Sequence, residues 1–367
     1  MLRRWVAPGL CLGGLGCSLL VPLDDLANGA PDAGAPRDAS VDQTARDAEV
    51  DAPSCVTDTQ TDGKNCGRCG HDCLGGKCAA GVCQVSTVLT GLVSPWHVYA
   101  NETHLFVTST QMGDGPSVPR PLVRVDRSTL QAADLLPAGA SAWDVAFDGK
   151  TAFVSGNGRI YTVADGATSA RALPSDELPA LTGIALTPTR VYVASYGSNV
   201  LIGVPRAGGA SVFTTVIPNV ETIPTDGKYV YVGEQADRKW SRLDKSSNVR
   251  GAWVETPSSM RRSRLDGTTL YWMSGDGTEW YTTDTATGVT TSHALPGHYG
   301  IGDLVTNATH VFLSTRSEGI VYRIPKSDLD KPEVYLRDQA GPVGLFADAS
   351  SLFWVNQKSG EVERLAF

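Results

Sequence analysis

Seven residues spread through the chain carry groups able to hold or act on a ligand: Trp96, His97, Trp143, Asp144, Glu221, Arg262 and Asp303. Tryptophans offer flat apolar walls, and the charged groups and imidazole fix the orientation of whatever lies between them. The three acids admit a second chemistry. Carboxylates gathered around one divalent ion, such as calcium, activate water for hydrolysis of a lactone-type ester. The plainest reading has the tryptophans packed between structural units and the polar groups binding water. The sequence has no Gly-x-Ser-x-Gly elbow and no phosphate-cradling glycine loop.

Residues so far apart in sequence act together only if a repeating fold brings them to one place, and such a repeat is visible. Its clearest copies run from Val145 through Asp148-Gly149 to Ser155, from Ile223 through Asp226-Gly227 to Val232, and from Arg264 through Asp266-Gly267 to Trp272. Turn markers fall at positions 101, 148, 187, 226, 266, 307 and 348, a period of about 40. Each copy reads as an apolar strand, a tight turn, and an alternating aromatic and aliphatic strand. This predicts an all-β, seven-bladed β-propeller over residues 84–367. The last copy ends at Phe367 after three strands, so the stretch from Gln84 to Thr90 is expected to supply its fourth and close the ring. Four places before the markers stand His97, Asp144, Gly183, Thr222, Arg262, Asp303 and Gly344, with Trp96, Trp143 and Glu221 among the residues one place earlier. All are expected around one mouth of the central channel. Asn101 and Asn307 fit the glycosylation acceptor pattern but stand at turn markers, where asparagine serves the turn.

The strings Tyr271-Trp272-Met273-Ser274, Phe353-Trp354-Val355-Asn356 and Val191-Tyr192-Val193-Ala194 resemble the YWTD and NHL groups of propellers, which implies the same architecture. Lactonase-type propellers hold their ion with carboxylates and asparagines, and this ring offers acids without the matching asparagines. Streptogramin-lyase-type propellers use histidines on one face, for which His97 and His298 are the candidates.

Six cysteines, Cys55, Cys66, Cys69, Cys73, Cys78 and Cys83, crowd one short segment with few apolar residues. A piece this small is expected to be held by disulfides, whose pairing the spacing leaves open. Cys66 and Cys69 with His71 also have zinc-ligand spacing. The run from Asn65 to Cys73 resembles the cysteine motif of the Stig1-like family, which implies a small extracellular disulfide module over residues 55–83.

The chain opens with Arg3-Arg4 and a short apolar stretch, as a secretory signal does, too short to span a bilayer. Gly14-Leu15-Gly16-Cys17 resembles a bacterial lipobox, which implies lipidation of Cys17 after export. Residues 18–54 are rich in Asp, Ala and Pro and read as a disordered acidic tether. A net charge of -8 without a basic cluster argues against nucleic acid. The sequence therefore predicts an exported protein of the bacterial cell envelope, reaching the membrane only through a lipid anchor. It is expected to bind a protein, glycan or small molecule through its propeller face; the alternative is the metal-dependent hydrolase.

Overall fold

The computed structural model describes residues 58–110, 120–156, 158–176, 178–295 and 300–367. The expected signal segment and tether, with Cys17, Cys55 and His298, lie outside the described residues. Strands and turns make up the described residues, and seven sheets stand in sequence order as propeller blades. The first blade comprises Pro95–Ala100, His104–Ser109, Leu122–Asp126 and Ala132–Asp134, each antiparallel to the next. Further blades occupy residues 145–172, 183–216, 220–255, 260–294 and 301–336. The seventh combines Pro342–Ala347, Ser351–Asn356 and Glu361–Ala366 with Ser86–Leu89. The expected closure is present: Val362 faces Leu89, Glu363 faces Thr87 and Arg364 faces Ser86.

The second strand of each blade is sandwiched between its neighbours and reads as a nearly unbroken apolar run. Tyr229–Glu234 and Ser351–Asn356 are buried on both faces apart from Tyr229. Apolar clusters fill the clefts between blades. Tyr231, Trp240, Met260, Trp272 and Tyr281 form one such cluster, with the Trp272 and Tyr281 rings stacked at 4.1 Å. Truncating a fully buried aromatic of this kind costs about 3–5 kcal/mol.

Four of the turn markers act through side-chain carboxylate or amide oxygens. Asn101 accepts the amides of Thr103 and His104, Asp226 those of Lys228 and Tyr229, Asn307 those of Thr309 and His310, and Asp348 those of Ser350 and Ser351. These are Asx turns, the local reason for the repeated hairpin. A second set, at Asp126, Asp244 and Asp284, turns the outer hairpins.

The fourth blade departs from the pattern. Its innermost segment is tied to the second strand by a lone bridge between Thr225 and Val230 and by the Tyr231 amide donating to the Pro224 carbonyl. Pro218 and Pro224 lack the amide that a regular ladder requires.

The cysteine segment packs against the closure seam within the same compact unit as the propeller. Disulfides join Cys66 to Cys78 and Cys73 to Cys83, and Cys69 is also disulfide-bonded. The sulfur atoms of Cys66, Cys73 and Cys83 lie within 4.8 Å of one another, yet all three are consumed in disulfides and offer no thiolate. The segment also gains a core that its composition did not suggest. Its cystines pack with Val305, Phe312, Leu345, Trp354 and Leu365 of blades six and seven. The His71 ring bridges the carbonyls of Cys66 and Phe367.

Candidate functional site at the channel mouth

The first strand of most blades carries a bulge near its start. Trp96 is the extra residue between Pro95 and His97, Gly302 the extra residue between Ile301 and Asp303, and Arg261 and Arg262 lie in the shift between Met260 and Ser263. Trp143 and Asp144 both bond to Ser155 in the same manner. A bulge turns one side chain out of the alternating order. It delivers these residues to the opening of the channel instead of the cleft between blades.

Two adjoining cavities, of about 340 and 400 Å³, make up that opening and share Trp96, Arg261 and Arg262. The first also has Trp143, Glu221 and Gln235; the second has Arg316 and Lys358. Four of the predicted residues, Trp96, Trp143, Glu221 and Arg262, are therefore brought together. The other three are not. Asp144 lines a separate cavity of about 390 Å³, with Tyr99, Ile184 and Arg264, farther along the inner strands. His97 and Asp303 are buried between the openings, 3% and 1% exposed.

Their burial has a cause. The residues at this level clasp each blade to the next. His97 Nδ1 lies 3.0 Å from the Trp143 carbonyl, and Asp144 accepts the Ile184 amide at 3.1 Å. Thr182 donates to the Val220 carbonyl, and Thr222 and Ser263 share a hydrogen bond. Arg264 lies 3.9 Å from Asp303, which accepts the Leu345 amide at 2.9 Å. At the last junction Gly344 lies so close that a Cβ there would sit 2.3 Å from the Trp96 carbonyl oxygen. Burial, reinforced by Arg262 and Arg264, pushes the His97 imidazole well below its usual range, so it is neutral. Burial and then Asp144 push the Tyr99 phenol well above its usual range.

Each carboxylate oxygen of Asp144 and Asp303 accepts a backbone amide. The two acids are anchored in the blades, with Asp303 buried, and among the described residues they join no group of three acids, histidines or cysteines close enough for a metal. This arrangement does not fit the carboxylate cage of a lactonase-type site, and no hydrolytic step is derived from it.

At the mouth the electrostatics run the other way. Among the described residues that line these two cavities, Arg261, Arg262, Arg316 and Lys358 accompany one acid, Glu221, in a chain of net charge -8. Glu221 accepts a hydrogen bond from Gln235 at 3.1 Å and lies 3.7 Å from Arg262 and 3.8 Å from Arg261. Arg262 has a side chain only 9% exposed and no hydrogen bond among the described residues. Trp96 Nε1 is likewise buried without a partner among them. Marker counting missed Tyr196, Gln235, Arg316 and Lys358. The first three directly follow the polar residue ending a second strand, Ser195, Glu234 and Thr315, and that phase of the repeat was a signal available in sequence.

The chain matches no protein-family model and no curated protein sequence. Solved structures match it widely. A streptogramin B lyase superposes with a TM-score of 0.63 at 11% identity, covering 77% of this chain and 97% of that one. A selenomethionine-substituted virginiamycin B lyase from Staphylococcus aureus gives 0.64 at 12%, covering 77% and 98%. BamB from Moraxella catarrhalis gives 0.52 at 14%, covering 80% and 94%. At these identities the likeness establishes the seven-bladed propeller and nothing about activity.

Proposed function

We propose that this chain is an exported protein of the bacterial cell envelope, attached through lipid on Cys17, whose propeller mouth binds an anionic ligand. Arg262 carries the reading. Its guanidinium is held charged against burial by Glu221, then by Asp303 and Asp144, and makes no hydrogen bond among the described residues, so its donors are open to an entering anion. Trp96 and Trp143 beside it suit a flat apolar face, so a ring bearing a carboxylate meets both requirements. Acidic glycans and small carboxylates fall in this class, and nucleic acid does not follow from an otherwise acidic chain. Among the described residues no helix is long and apolar enough to cross a membrane.

The test is calorimetric titration of the purified protein with trigalacturonate and a panel of ring carboxylates. The wild type should bind at least one, and Arg262→Met and Trp143→Ala should each weaken binding about tenfold or more while the fold persists. Binding of neutral analogues equal to that of acidic ones, or affinities untouched by either substitution, removes the proposal. Export and lipidation are checked separately, by the mass of the mature N-terminal peptide in wild type and Cys17→Ser.

A further inference from the structure

We infer a second anion site, distant in sequence from the mouth, at the junction of the cysteine segment with the closure seam. A cavity of about 490 Å³ lies there, with Lys64 and Asp72 from the cysteine segment, Arg127, Ser128 and Thr129 from a turn of blade one, and Arg364 from the strand that pairs with Ser86. Counting charges shows what is missing. Lys64 lies 3.6 Å from Asp72, at the exposed rim. Arg127 donates to Asp348 and to the Asn101 carbonyl. Those pairs leave Arg364. It is 5% exposed, its Nε is buried without a hydrogen-bond partner, and it takes part in no ion pair among the described residues. Burial and the nearby Arg127 both oppose its charge, while Asp72 favours it from beyond ion-pair distance.

Arginine does not escape this cost by losing its proton, so a buried and unopposed guanidinium calls for an external acceptor. The planar fork suits a phosphate or sulfate group, which two N–H donors grip in parallel. The cavity leaves room for one. Gly75, with φ of 91°, passes so close that a Cβ there would stand 3.3 Å from Arg364 Nη2. The bound group would touch the cysteine segment on one side and blades one and seven on the other. The site therefore takes a phosphate group, free or carried as an ester on a larger molecule.

The experiment is titration of the full chain with inorganic phosphate and with glycerol 3-phosphate at constant ionic strength, read by calorimetry and by the unfolding midpoint. Wild type should bind and be stabilised, Arg364→Met should lose about tenfold or more in affinity, and Lys64→Gln should lose less. Without phosphate, Arg364→Met should unfold no earlier than wild type, because it removes an unopposed charge. Equal affinity for the two compounds identifies a free ion, and tighter binding of the ester identifies a headgroup. Three results overturn the inference: no binding of either compound, binding that Arg364→Met leaves intact, or a lower midpoint for Arg364→Met without phosphate. The last would mean that a neighbour such as Asp72 already satisfies Arg364. Mouth variants leave this titration unchanged, so the two sites fail or stand independently.

Discussion

Asp303 and Leu345 are 42 residues apart, and the carboxylate of one accepts the amide of the other across the gap between blades six and seven at 2.9 Å. The other oxygen of Asp303 accepts the Leu304 amide at 2.8 Å. One buried side chain thus satisfies two backbone donors that water cannot reach.

Asp303→Ala should lower stability by about 3 kcal/mol, measured by urea unfolding, because it leaves buried donors unmet. Asp303→Asn should cost roughly half as much, since an amide still offers one carbonyl oxygen. Asp144→Ala should cost less than Asp303→Ala, as Asp144 is partly exposed. Equal stability of all three variants and the wild type would contradict the clasp.

Closure by Ser86–Leu89 predicts a different failure. Val88 is 7% exposed and packs with Val98, Leu105 and Val362. Val88→Ala should cost about 1–2 kcal/mol. A chain beginning at Gly91 should expose the edge of Glu361–Ala366 and self-associate. Size-exclusion chromatography reads this directly, and a monomeric, equally stable truncation would show that the seam is dispensable.

The disulfides should matter beyond their own segment. Cys73 and Cys83 are 10 residues apart, a loop whose cross-link is worth about 3 kcal/mol by chain entropy. Their sulfurs belong to the core cluster of blades six and seven. Cys73→Ser with Cys83→Ser should therefore lower the unfolding midpoint of the whole propeller, followed by tryptophan fluorescence. An unchanged propeller transition would indicate an autonomous module.

Stability should fall on mild acidification through His97. Folded, its imidazole is kept neutral by burial, then by Arg262 and Arg264. Unfolded, it takes up a proton near pH 6.5. Below that pH the unfolded chain binds the extra proton, so stability rises with pH toward about 6.5 and levels off above it. His97→Gln should flatten the unfolding midpoint between pH 5 and about 6.5. The turn carboxylates Asp126 and Asp244, held low by the hydroxyls of Ser128 and Ser246 and by turn amides, lose their contribution only below about pH 4. Parallel slopes for His97→Gln and wild type would assign the effect to other groups.

The blade count was legible because four blades begin their hairpin with the same side-chain turn, at Asn101, Asp226, Asn307 and Asp348, and two more turn at Asp148-Gly149 and Asp266-Gly267, where the glycine has positive φ. The closing strand was legible because the last repeat lacked a fourth strand and the stretch from residue 84 lacked a home. Side-chain direction was harder. Counting back from the turn gives height along a strand, but one bulged residue reverses which face a neighbour occupies. Trp96 thus reaches the mouth while His97 enters the wall. The irregular inner segment of blade four depends on Pro218 and Pro224, whose missing donors mattered more than the repeat pattern. The core of the cysteine segment was hidden for another reason. Its apolar partners, Val305 to Phe367, lie at the far end of the chain.

That long reach sets an order of events in time. His71 meets the Phe367 carbonyl across 296 positions, and Ser86–Leu89 waits for Glu361–Ala366. Blades one to six are each made of consecutive residues and can assemble as the polypeptide emerges. The seventh cannot form until Glu361–Ala366 is available, so Ser86–Leu89 stays without a partner while the residues between them assemble. Local cross-links that form early beside that strand, at Cys66 to Cys78 and Cys73 to Cys83, shorten the search when the end arrives.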